Sequence, residues 1–74
     1  MKVAEIEAAL NPLDILLGVN LYPDEPSSGC HYVSIMKDTH DKAIAAIKAA
    51  GGEAMRVPGL AEYPWSSCIQ VRRQ

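Results

Sequence analysis

The chain has 74 residues, 49% of them apolar and 22% charged, with a formal net charge of -2 and a pI near 5.5. That is enough for one small domain with a thin core, and too apolar for a disordered tail. No apolar run reaches the roughly 18 residues of a membrane span, the first residues lack the pattern of a secretory signal, and two cysteines make no disulfide framework.

Residues 2–10 read as a helix, because Val3, Ile6 and Leu10 fall on one face and Glu5 lies near the positive end of the helix dipole. Asn11-Pro12 interrupts it, since a residue before proline avoids the helical region. Residues 11–20 carry two readings. Asn11 as N-cap with Pro12 behind it would start a second short helix closed by Gly18. The alternation of Ile15, Leu17, Val19 and Leu21 instead describes a strand with one buried face. The favoured reading is a short helix or turn at 12–14 and a strand over 15–22. Residues 23–29 (PDEPSSG) form a loop by composition.

Residues 30–37 (CHYVSIMK) are a strand with Val33 and Ile35 on one face and Tyr32 and Met36 on the other, as in a central strand. Residues 38–50 are the main helix. Asp38 or Thr39 serves as N-cap, Ala43, Ile44, Ile47 and Ala50 make an apolar stripe, and Gly51-Gly52 supplies a left-handed C-cap. A strand over 53–57 with Met55 and Val57 facing the core follows, then a loop over 58–64 and a last strand over 66–73 with Ile69 and Val71 inward. The order αββαββ predicts an α+β domain: one sheet of about four mainly antiparallel strands with helices on one face. The second strand, the main helix and the third strand resemble the split βαβ unit of ferredoxin-like folds.

Polar clusters that could carry chemistry have plain structural explanations. Lys37-Asp38-Thr39-His40-Asp41 would suit a metal or an acid/base pair, yet its composition is what a helix start requires. Cys30 and His31 are adjacent, but strand neighbours point to opposite faces, and His31 meets Cys68 only in a favourable register. Cys30, His31 and Cys68 are nevertheless the residues a small redox or metal protein would use. Arg56, Arg72 and Arg73 could make a small basic edge for a nucleic-acid-binding regulator, although the charges are scattered and the pI is far below the value above about 9 usual for such domains. No catalytic, cofactor-binding or metal residue is assigned.

Protein binding through the surface remains. Tyr63 and Trp65 flank Pro64 in a loop, where aromatic side chains commonly anchor interfaces. Tyr22 precedes the acidic pair Asp24 and Glu25, so the expected partner-binding residues are Tyr22, Asp24, Glu25, Tyr63 and Trp65. The competing reading of Trp65 is that it plugs the end of a thin core. The expectation is a cytoplasmic, non-enzymatic domain, monomer or homodimer, that meets another protein with a basic surface. Phage and mobile-element proteins of this size and charge, anti-CRISPR proteins among them, inhibit host proteins or nucleoprotein complexes in this way; the analogy is one of size and charge and carries no shared motif.

Overall fold

A computed structural model describes residues 1–19, 29–59 and 63–73 of the chain. Helix α1 spans Val3–Leu10, a single 3-10 turn covers Asn11–Leu13, and strand β1 spans Leu16–Val19. Strand β2 spans Cys30–Met36, helix α2 His40–Ala49, strand β3 Ala54–Arg56 and strand β4 Ser66–Arg72. The four strands form one antiparallel sheet in the order β1-β2-β4-β3. This is the small α+β architecture that the element order implied.

Local chemistry fixes the helix ends. At the start of α1 the Lys2 N–H donates to Glu5 Oε1 at 2.8 Å, half of a capping box. Asn11 and Pro12 turn the chain out of α1, and Asp14 completes the exit in the left-handed region at φ 58°. At the end of α2, Gly51 takes φ 89° and two hydrogen bonds close a Schellman motif. They run from Gly52 N–H to Ile47 O and from Gly51 N–H to Lys48 O. Gly52 is required for packing as well: a Cβ there would lie 2.9 Å from Ile47 Cγ2 and from the Met1 side chain.

Both helices pack on one face of the sheet. Ile6 and Leu10 of α1 and Ala43 and Ile47 of α2 meet Val33, Ile35, Ile69 and Val71 of the two central strands, all with no exposed surface. Each of these larger aliphatic side chains contributes about 1.5–3 kcal/mol by leaving water. The described core holds no aromatic ring. No helix of the described residues is long and apolar enough to cross a membrane.

The structure corrects several details. The expected alternation of Ile15, Leu17 and Val19 is broken by a bulge between Leu16 and Gly18, so Leu16 packs on the core and Leu17 is 44% exposed. The rest of the strand expected over 15–22 lies outside the described residues. Met55 does not face the core. Its partner in β4 is Gln70, on the face away from the helices, while Ala54 sits opposite Val71 and packs inward. A small side chain fits beneath α2, and the β4 register decides which one lies there. The main helix begins at His40 rather than at Asp38. Thr39, one of the two expected N-cap residues, holds that position and its carbonyl accepts from Ala43 N–H, while its hydroxyl donates back to Met36 O; Asp38 precedes it at φ 62°. The chain's αββαββ order also differs from the βαββαβ order of a ferredoxin-like chain.

Candidate functional site

The most distinctive surface feature is the turn that feeds β4. Tyr63, Pro64, Trp65 and Ser66 form a tight reversal in which the Ser66 N–H donates to Tyr63 O at 3.0 Å. The Ser66 side chain locks it: Tyr63 N–H donates to Ser66 Oγ at 3.0 Å, and the hydroxyl donates to Tyr63 O at 2.9 Å. Proline in the second position of such a turn restricts φ in advance. Lys37 N–H, just past the end of β2, donates to Trp65 O at 2.9 Å and ties the turn to the sheet.

Held this way, the rings of Tyr63 and Trp65 stack with centroids 4.8 Å apart and planes within 2° of parallel. They remain 44% and 60% exposed. Trp65 therefore does not plug the core. The β2–β4 ladder ends with Met36 opposite Ser66, so Trp65 lies beyond the last strand pair. Met36 is itself exposed at that end of the sheet. An aromatic stack is worth about 0.5–1.5 kcal/mol beyond the area it hides, which rigidifies the turn without removing its rings from water.

Of the remaining residues expected to meet a partner, Tyr22, Asp24 and Glu25 lie outside the described residues. Ser66 is a residue that sequence reasoning missed as part of the site. The signal was present in Tyr-Pro-Trp-Ser, a proline in the second turn position with a hydroxyl in the fourth.

The candidate chemical groups are dispersed. Cys30 stands opposite Arg72 and Cys68 opposite Ser34, on the sheet face away from the helices, while His31 stands opposite Val71 on the helix face. Cys30 and Ser34 are four residues apart along one strand, about 13 Å. That separation is far beyond the reach of a disulfide, and both thiols are free. Burial pushes the Cys68 thiol up from its ordinary value and keeps it protonated. His31 is buried, and its Nε2 donates to Met1 O at 3.1 Å. Burial first, then the Arg73 charge, pushes its pKa below the ordinary value; the bond to Met1 O acts the other way.

The three arginines do not form one edge. Arg56 stands opposite Ile69, on the helix side, and its Nη2 donates to His40 Nδ1 at 3.1 Å. Arg72 lies on the other face and pairs with Glu53 at 3.2 Å. Among the described residues no three of the His, Cys, Asp and Glu side chains gather where they could hold a metal ion.

Two shallow hollows border these features. One of about 280 Å³ lies between His40, Val57, Pro58, Ser66 and Cys68, beside the aromatic turn. The other, of about 220 Å³, lies over Cys30, Met55, Gln70 and Arg72. Both fall below the range above about 300 Å³ usual for small-molecule sites. Beside the first of them the surface presents the stacked rings of Tyr63 and Trp65. Compared with known proteins, the chain matches no family model, no curated protein and no solved structure at a significant level.

Proposed function

We propose that this chain is a non-enzymatic protein-binding domain whose partner docks on the Tyr63–Trp65 turn. The carrying observation is a pair of large aromatic side chains stacked and left exposed on a turn whose backbone is hydrogen-bonded to Ser66. Exposed apolar rings gain the most from being covered, and a pre-organised turn loses little conformational entropy when they are. Tyr and Trp are also the residue types most enriched at binding hot spots.

The mild net negative charge favours a partner with a basic surface, which Asp24 and Glu25 would face. Inhibition of a host protein or nucleoprotein complex, the role of anti-CRISPR proteins, is the narrower form of this proposal and rests on size and charge. We place the protein in the cytoplasm on its two unbridged thiols. The ferredoxin-like reading of the fold is equally a proposal, supported by β2 and β3 lying parallel on either side of β4.

The test is affinity capture with tagged protein, followed by titration of the purified partner against Trp65→Ala and Tyr63→Ala. Each variant is expected to weaken binding by roughly 30-fold, the loss typical of a hot-spot residue. Undiminished affinity in both variants would place the interface elsewhere.

A further inference from the structure

Strand directions and chain ends together describe more than an antiparallel sheet. β2 leads through α2 to β3, and those two strands run the same way with β4 between them. β1 and β4 also run the same way, with β2 between them. The Met1 amino nitrogen donates to Arg72 O at 2.9 Å and to Arg73 O at 2.7 Å, so the start of α1 sits against the end of β4. Followed across that contact, β4 leads through α1 to β1. This is a second β-α-β path, split by β2 as the first is split by β4.

We propose that the domain is a closed ring of two interlocked split β-α-β units, a ferredoxin-like arrangement opened between its first strand and its first helix. The covalent link from β3 to β4, which carries the aromatic turn, is then dispensable to the fold. Ferredoxin-like chains run βαββαβ. Starting this ring at β4 gives that order: β4, α1, β1, β2, α2, β3.

Two further observations support the ring. Both helices share one core with the two central strands, so neither unit has a separate interior. Among the described residues, the bonds that shape the turn run within residues 63–66 and from Lys37, and none of them involves residues 57–59. A chain start held against the end of β4, and exposed flanks at Gly59 and Tyr63, are conditions under which circular permutation is tolerated. The ring does not depend on the protein-binding reading, which would survive its failure.

The test is a permuted chain that begins at Tyr63, passes from residue 74 through a short glycine linker to Met1, and ends at Gly59. A second variant joins the ends with the same linker and leaves the β3–β4 link in place, the chain being opened instead by a protease site inserted between residues 59 and 63. Before cleavage and after it, this variant reports on the ring and on the link separately. Expected are cooperative unfolding of both variants, with melting midpoints within about 10 °C of the parent. Amide contacts between the Val33–Ile69 and Ala54–Val71 pairs should persist, as they would in the parent sheet. Loss of the cross-strand contacts when the ends are joined would overturn the ring. Loss of cooperative unfolding on cleavage, or in the permuted chain alone, would make the link part of the fold and overturn its dispensability.

Discussion

The core and the aromatic turn are built from different apolar residues. Val33, Ile35, Ile69 and Val71 fill the helix face of the central strands with aliphatic side chains, joined by Ile6, Leu10 and Ile47. Tyr63 and Trp65 stay outside, stacked on each other at the end of the sheet. A chain this short has few large side chains with which to build an interior. That it displays its one tryptophan separates what stabilises the fold from what is left exposed at its surface.

The largest expected effect tests that division directly. Ile69→Ala removes a side chain with no exposed surface and should lower the stability by about 2–5 kcal/mol. Trp65→Ala should lower it by no more than about 1.5 kcal/mol, the worth of the lost stack. Urea unfolding of the two variants measures both. Equal losses would mean that the turn is part of the core.

A smaller effect is expected at His31, a buried polar residue on the core face. The folded state holds the His31 pKa below its unfolded value, so the native protein favours the neutral imidazole. The stability this residue contributes is fully present above about pH 6.5 and is lost as the pH falls through the folded value. Urea midpoints should decline on acidification from that pH, and His31→Gln should flatten the decline. An equally steep decline in the variant would assign acid sensitivity to other groups. The smallest effect belongs to the Glu53–Arg72 pair, whose side chains are both well exposed. Glu53→Gln should change the unfolding free energy by less than about 1 kcal/mol, and the change should shrink further in high salt. A larger loss would give this exposed rim a structural weight like that of the interior.

Much of the core was legible as periodicity. Val33 and Ile35, Ile69 and Val71, and Ile6 and Leu10 repeat at the spacing of their elements and point where that spacing directs them. Leu17 and Met55 were misread because neither bulges nor edge-strand registers are written in the hydropathy of a short run. Leu17 turns outward because one extra residue shifts the pleat, and Met55 because Ala54 is the residue matched to Val71. At the candidate site, Tyr63 and Trp65 were identifiable as loop aromatics between the last two strands. Their stack was not, because it depends on the Ser66 hydroxyl bonding back to Tyr63.

The sequence by itself determined the element order, the two amphipathic helices and an α+β domain of which about half the residues are apolar. These follow from interactions among near neighbours: hydropathy period, proline and glycine punctuation, and acidic residues at helix starts. Tertiary structure decided the β1-β2-β4-β3 order, which apolar residues lie outside, and the separation of Cys30, His31 and Cys68. Those outcomes are set by pairing between strands far apart in the chain. The same alternating side chains can satisfy more than one register until the sheet closes on its helices.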